Sequence, residues 1–204
     1  MDLSKIKTGP NPPHDLHAVI EIPQGGHPVK YEFDKVSGAL FVDRFLHTAM
    51  FYPGNYGFIP GTLSEDGDPC DVLVVSQFPV VPGAVIRCRP IGALTMTDEK
   101  GGDEKILAVP VDKLHPFYDD VTSYRDLPHV LLRQVEHFFV HYKDLEPGKT
   151  VTSHGWVDAR EAEALVVQGI ARAKKRKVSK AKAAKNRASQ STRAETRAKG
   201  KKSV

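Results

Sequence analysis

The chain has 204 residues, 40% of them hydrophobic and 26% charged, with two cysteines and a formal net charge of +4. That length suits one domain with a substantial core, or at most two small ones, and the composition is that of a globular protein. No window approaches 18 consecutive apolar residues, so no membrane span is expected. The segment Met1-Asp2-Leu3-Ser4-Lys5-Ile6-Lys7 has no apolar stretch of signal-peptide type. Cys70 and Cys88 stand outside any CxxC or Cys/His pattern. The expectation is a cytoplasmic protein with reduced thiols. The net charge hides a segregation. From Arg172 onward the chain carries 14 Lys and Arg against one acid, Glu195, so residues 1–171 hold about −9 and the remainder about +13.

Residues 1–15 are polar and rich in Pro and Gly, which predicts an arm or loop. His17–Ile22 reads as a strand. Val29–Asp34 alternates, with Val29, Tyr31 and Phe33 on one face and Lys30, Glu32 and Asp34 on the other. Ser37-Gly38 predicts a turn and Leu40–Phe45 the return strand. Phe51 to Ile59 is aromatic and turn-rich, with no strand predicted. Strands are expected at Asp71–Ser76, Val85–Leu94 and Lys105–Pro110, the last two separated by Gly101-Gly102. Many short strands without alternating helices favour an antiparallel barrel or sandwich.

Two helices are predicted next. The first opens at Asp126 as N-cap, with Pro128 in its first turn, and carries Leu131, Val135, Phe138 and Tyr142 as an apolar stripe before Pro147-Gly148 stops it. A strand is expected at Val151–Trp156. The second helix starts at Asp158, with Glu161 placed for a capping box, and should bury Ala162, Leu165, Val166, Ile170 and Ala173. Beyond Lys177 the composition reduces to Ala, Lys, Arg and Ser, which predicts a disordered or transiently helical segment.

Asp66-Gly67-Asp68-Pro69-Cys70-Asp71 is the most informative stretch. Two like charges about 4 Å apart repel by roughly 4 kcal/mol at an effective dielectric near 20. Divalent cations are the usual remedy, and a set of oxygen ligands suits Mg²⁺, Mn²⁺ or Ca²⁺ better than Zn²⁺. A solvated acidic turn is the alternative. A second acidic group, Asp98-Glu99 and Asp103-Glu104, flanks Gly101-Gly102 and is followed by Lys105. Taken alone, this segment is better explained as a solvated hairpin tip. Lys30, Arg44, Tyr52, Tyr56, Tyr142 and Lys143 offer donors for an anionic ligand, or in the tyrosines' case core packing. Carboxylates for hard cations beside Lys, Arg and Tyr suit phosphoryl chemistry. No GxxxxGK[ST] loop and no local Ser/His/Asp signature occurs.

Several blocks in this order carry a family resemblance. They are Val19-Ile20-Glu21-Ile22-Pro23, Lys30-Tyr31-Glu32, Ser37 to Arg44, Met50 to Gly57, Asp66 to Asp71, Thr97-Asp98-Glu99, Asp103 to Lys105, and His137 to Lys143. Over residues 15 to 175 the chain resembles the soluble family I inorganic pyrophosphatases of bacterial type. It departs from them at Cys70, where an aliphatic residue is usual, at Phe58, where Tyr is frequent, and in the basic tail.

The resemblance implies a mainly β, α+β fold: an OB-like five-stranded antiparallel β-barrel with two C-terminal helices. It implies a pyrophosphatase domain at 1–176 and a basic tail at 177–204. The activity implied is hydrolysis of inorganic diphosphate to two orthophosphates by a metal-activated water, with several Mg²⁺ per site and Mn²⁺ as a substitute. By similarity Asp66, Asp71 and Asp103 hold one metal, Asp71 bridges to a second, and Asp98, Asp103 and Glu32 serve those arriving with substrate. Asp68 is the general base. Lys30, Arg44, Tyr56, Lys105, Tyr142 and Lys143 grip phosphate, with Lys30, Arg44 and Tyr56 counted as catalytic. Glu21, Tyr52 and Glu99 support the site, Tyr52 by a hydrogen bond tuning Asp68. A homo-oligomer, a hexamer in bacterial members, is also implied, with His137 and His141 near the packing region. The rival reading is an OB-type protein that binds nucleic acid or another polyanion through the tail.

Overall fold

The computed structural model describes the backbone of residues 2–200 and side chains through residue 182, residue 180 excepted. The strands are β1 (Leu16–Ile22), β2 (Val29–Phe33), β3 (Leu40–Phe45), β4 (Asn55–Phe58), β5 (Asp71–Val74), β6 (Val85–Asp98), β7 (Gly101–Gly102), β8 (Lys105–Pro110) and β9 (Val151–Asp158). The helices are α1 (His129–His141) and α2 (Ala159–Gly200).

Five strands close on themselves in the order β1-β4-β5-β8-β6, because β1 pairs with both β4 and β6. This is the OB-like ring expected. Four of its contacts are antiparallel, and β5 runs parallel to β8 with Asp71 opposite Lys105. β6 is longer than the predicted Val85–Leu94, because it leaves the ring to pair with β9 and then turns into β7. β2 and β3 form a separate hairpin in which Lys30 lies opposite Arg44.

β4 was not expected as a strand, since Asn, Pro and Gly crowd its sequence. Tertiary contact decides it: a Cβ on Gly57 would fall 1.9 Å from the Val19 carbonyl oxygen, so only glycine lets β4 approach β1 there.

The helix predictions need one correction. Asp126 does not cap α1. It closes a capping box with Ser123 on a separate 3-10 turn, Tyr124–Asp126, and Pro128 is the residue preceding α1. α1 buries Leu132, Val135, Phe138 and Phe139, so its apolar stripe is wider than the predicted one and Leu131 lies at its edge. At α2, Asp158 Oδ1 accepts from the Glu161 N–H at 3.0 Å, as an N-cap does. Ala162 and Val166 are fully buried, with Leu165 and Ile170 packed against them.

α1 covers one side of the barrel, where Phe138 and Phe139 meet Leu94, Met96 and Leu107. α2 covers another, against Ile59, Val72 and Ile106. Each such large apolar side chain withdrawn from water contributes about 1.5–3 kcal/mol. α2 does not stop near Lys177. Its backbone stays helical to Gly200, in a segment rich in strong helix formers and free of proline. Residues 201–204, the end of the predicted tail, lie outside the described residues.

Candidate active site

One open cavity of about 660 Å³ lies at the end of the barrel where β5 and β8 begin. Its walls include Glu21, Lys30, Glu32, Arg44, Tyr56, Asp66, Asp68, Asp71, Asp98, Glu99, Asp103, Lys105, Tyr142 and Lys143. The acidic turn and the β6–β7 hairpin are therefore not independent solvated tips, because the parallel pairing of β5 with β8 brings Asp71 and Lys105 side by side.

Lys105 sits at the centre, 4% exposed. Its Nζ donates to Asp71 Oδ2 and Asp103 Oδ1, each at 2.5 Å, and lies 3.4 Å from the Tyr56 hydroxyl. Burial pushes the Lys105 pKa down, and the two carboxylates more than reverse it, holding the ammonium above the ordinary lysine value. Tyr56 donates its hydroxyl to Asp71 Oδ2 at 2.6 Å. Burial first, then the Asp71 charge, keeps this phenol protonated far above neutral pH.

The other cations are also paired with acids. Lys143 Nζ donates to Asp98 Oδ2 at 3.0 Å, and Lys149 Nζ to Glu99 Oε1 at 2.5 Å. Lys30 donates to Glu32 and lies 3.3 Å from Asp43. Arg44 contacts Asp43 at 3.0 Å and Glu146 at 3.2 Å. Asp43, Glu146 and Lys149 were not singled out in the sequence. Only the adjacency of Asp43 to Arg44 hinted at any of them.

Among the described residues no group of three His, Cys, Asp or Glu side chains is drawn together closely enough to hold an ion. The donor set nevertheless fits hard cations. It is oxygen-only, and Lys105 occupies the position between Asp71 and Asp103 where positive charge is required. At Asp66, burial and the neighbouring Asp68, Asp71 and Asp103 charges push the carboxyl pKa up, against the opposing Asp68 N–H. Burial is the larger cause, and the neighbouring carboxylates add to it.

Tyr52 differs from expectation. It is 2% exposed and does not line the cavity. Its ring packs behind Tyr56, centroids 5.3 Å apart, and against Phe138 at 4.6 Å. Its expected hydrogen bond to Asp68 is not formed, because the apolar layer beneath the site claims the ring.

Glu21 is a buried part of the cavity wall, where Oε1 accepts from the Phe33 N–H at 2.8 Å and sits 3.6 Å from Lys35. Burial raises its pKa from 4.5 to about 7, against the opposing Phe33 hydrogen bond and Lys35 charge. The folded protein then holds this proton more tightly than the unfolded chain. Glu21 therefore favours folding most below pH 4.5, and that contribution is lost as pH rises through 7. In metal-free protein, Glu21→Gln should gain Tm relative to the wild type between pH 5 and pH 8, by the equivalent of roughly 2 kcal/mol. Calorimetry giving a pH-independent difference would show that Glu21 titrates normally.

An oxygen-only acidic cavity ringed by Lys and Arg, set on a five-stranded OB-like barrel, defines a metal-dependent phosphoryl hydrolase. Residues 18–174 match the family profile of inorganic pyrophosphatase. An inorganic pyrophosphatase of Caulobacter vibrioides is 69% identical over 172 residues, covering 84% of this chain and 97% of that protein. One from Pseudomonas aeruginosa is 57% identical, covering 84% and 98%. Among solved structures, the inorganic pyrophosphatase of Thermus thermophilus superposes with a TM-score of 0.81 at 44% identity, covering 85% of this chain and 99% of that one. The chain belongs to the inorganic pyrophosphatase family.

Proposed function

We propose that this cavity is the catalytic site in which the chain hydrolyses inorganic diphosphate to two orthophosphates. The observation that carries the assignment is the meeting of oxygen-only carboxylates and paired Lys, Arg and Tyr donors on one open cavity. The rival reading as an OB-type nucleic-acid binder finds no support, since similarity to pyrophosphatases runs through the whole barrel and both helix starts.

Asp66, Asp71 and Asp103 are the residues that hold divalent cations, Mg²⁺ by preference and Mn²⁺ in substitution, with Asp98 and Glu32 serving those that enter with substrate. When bound, these cations neutralise phosphoryl oxygens and acidify a water. Asp68, exposed at the cavity wall, accepts the proton of the attacking water. Arg44 and Lys30, opposite each other on the hairpin, take one phosphoryl group, with Arg44 able to present two parallel donors. Lys143, Tyr142, Lys105 and Tyr56 face the other side of the cavity and stabilise the charge that develops on the leaving phosphate. Glu21 and Glu99 support the site from its walls, Glu21 by holding the Phe33 N–H of the hairpin and Glu99 by holding Lys149.

Purified protein should release orthophosphate from diphosphate only with Mg²⁺, lose that activity on chelation, and act far more slowly on ATP or a simple monoester. Equal rates on a monoester would replace the assignment with a general phosphatase.

The catalytic domain is 1–176, with 177–204 an appendage. The family match ends at residue 174, while α2 continues. Two buried unpaired thiols, Cys70 and Cys88, suit a reducing compartment, the cytoplasm. No described helix is long and apolar enough to cross a membrane. Exposed apolar side chains such as Phe45 and Phe78 suit a homo-oligomer, a hexamer as in bacterial members, and the exposed side of α1 carries His137 and His141 with rings 4.6 Å apart. The basic appendage supplies charge for a polyanion. Truncation after Lys177 should abolish salt-sensitive retention on heparin, and unchanged retention would remove that role.

A further inference from the structure

The loop that carries Asp66 and Asp68 is held by one face of α2. Gly169, Arg172 and Arg176 are spaced by three and four residues and so line up along the helix. At Gly169 the loop touches the helix backbone: the Leu63 N–H donates to the Gly169 carbonyl at 3.0 Å. A Cβ on Gly169 would lie 2.5 Å from Cys70 Sγ and 3.2 Å from Thr62 Cβ, so the absence of a side chain permits the approach. Arg172 Nε donates to the Leu63 carbonyl at 2.8 Å, and its guanidinium lies 3.7 Å from Glu65. One turn further on, Arg176 donates to the Gly67 carbonyl at 2.8 Å. Gly67 stands between Asp66 and Asp68.

Within the loop, the Ser64 N–H donates to the Asp68 carbonyl at 2.6 Å and the Asp68 N–H to Asp66 Oδ1 at 3.0 Å. At the far end, Thr62 Oγ1 receives the Cys70 N–H at 2.9 Å. The turn is thus tied internally and at its base. Near its tip, the described side chain that reaches over to tie it to the rest of the molecule is Arg176. That residue lies two positions beyond the end of the family match.

We propose that Arg172 and Arg176 are positioning residues: the C-terminal half of α2 sets the placement of Asp66 and Asp68 by gripping the backbone of their loop, and so sets the affinity of the site for divalent cations. This rests on the reading of Asp66 as a metal ligand. The warrant is geometric. Asp66 and Asp68 sit on an exposed turn that contributes no strand pairing, so holding their carboxylates at a fixed position requires an external anchor. A guanidinium bonded to the carbonyl between them supplies one without competing for the carboxylates themselves. Through the continuous helix, the grip also links the basic appendage to the mouth of the active site.

The test uses the full-length chain. Arg176→Gln should weaken Mn²⁺ binding, measured by electron paramagnetic resonance without substrate, by about three- to tenfold, the scale of one lost hydrogen bond. The Mg²⁺ concentration for half-maximal turnover should rise by a similar factor. Because a bound cation on Asp66 would itself hold the turn that carries Asp68, turnover at saturating Mg²⁺ should stay within about twofold, and Tm within about 2 °C. Arg172→Gln should add to the effect, and Arg176→Lys, which keeps a donor, should recover part of it. Unchanged Mn²⁺ binding in Arg176→Gln and in the Arg172/Arg176 double variant overturns the proposal. So does a loss that only tracks a fall in Tm. Asp66→Asn binding Mn²⁺ as the wild type does would remove the metal reading itself, and this proposal with it.

Discussion

Asp68→Asn should lower diphosphate turnover at saturating Mg²⁺ by about 10²- to 10⁴-fold, the range spanned by loss of a positioned general base. Asparagine keeps the size and the acceptor oxygen of the side chain but cannot take a proton at neutral pH. The loop should keep its shape, because the bonds that involve residue 68 are made by its backbone: the carbonyl accepts from Ser64, and the N–H donates to Asp66. Metal affinity and Tm should therefore change little. That split separates Asp68 from Asp66 and Asp71, whose amides should weaken Mn²⁺ binding directly. If Asp68→Asn turns over at near the wild-type rate, the base is another group in the cavity.

The second large effect concerns Lys105. In metal-free protein, Lys105→Met should destabilise the fold by about 3 kcal/mol. That is the low end of the penalty for breaking a buried ion pair, because Asp71 and Asp103 are themselves partly exposed. For a chain of this size the Tm should fall by roughly 6–12 °C. Methionine matches the length of the stem but leaves Asp71, on β5, and Asp103, just before β8, without the cation they share. Millimolar Mg²⁺ should recover much of the loss, since a divalent ion binds only the folded arrangement. Phosphate release should remain low even then, because the ammonium facing the leaving group is gone. Equal Tm values for wild type and Lys105→Met in chelator would show that the pair contributes nothing to stability. Failure of Mg²⁺ to narrow the gap would show that Asp71 and Asp103 do not share a cation site.

Much of the fold was legible where periodicity and burial agree. Lys105–Pro110 matches its predicted bounds, as an almost wholly apolar run that becomes a strand buried along its length. The hairpin of Val29–Phe33 and Leu40–Phe45 follows from alternation around Ser37-Gly38. β4 was hidden because its signal is the absence of a side chain at Gly57, and the reason for that absence lies on β1. The start of α1 was misplaced because Ser123 and Asp126 cap a short 3-10 turn of their own. Asp126 does take part in capping, as the N3 partner of Ser123 on that turn and not as the N-cap of α1.

The clustered carboxylates of the cavity were legible for an electrostatic reason: crowded carboxylates are costly unless something cationic is supplied. Their partners were not. Arg44 meets Glu146 across 102 residues of chain, and charged residues look alike in the sequence until the chain folds. The Arg172 and Arg176 contacts are further from view, since their acceptors are backbone carbonyls, which every residue has.

By itself the order of residues determined the chemistry available: crowded oxygen ligands for a hard cation, cations and phenols for an anion, and a charge-segregated C-terminus. Only the tertiary structure decided which groups meet. The parallel register of β5 with β8 places one ammonium between two aspartates, the apolar layer draws Tyr52 away from the cavity that Tyr56 reaches, and α2 closes over the loop of Asp66 and Asp68. The physical reason is common to all three. Side-chain chemistry is local and can be read one residue at a time, whereas the field and the constraint acting on each group come from neighbours that packing, not sequence proximity, supplies.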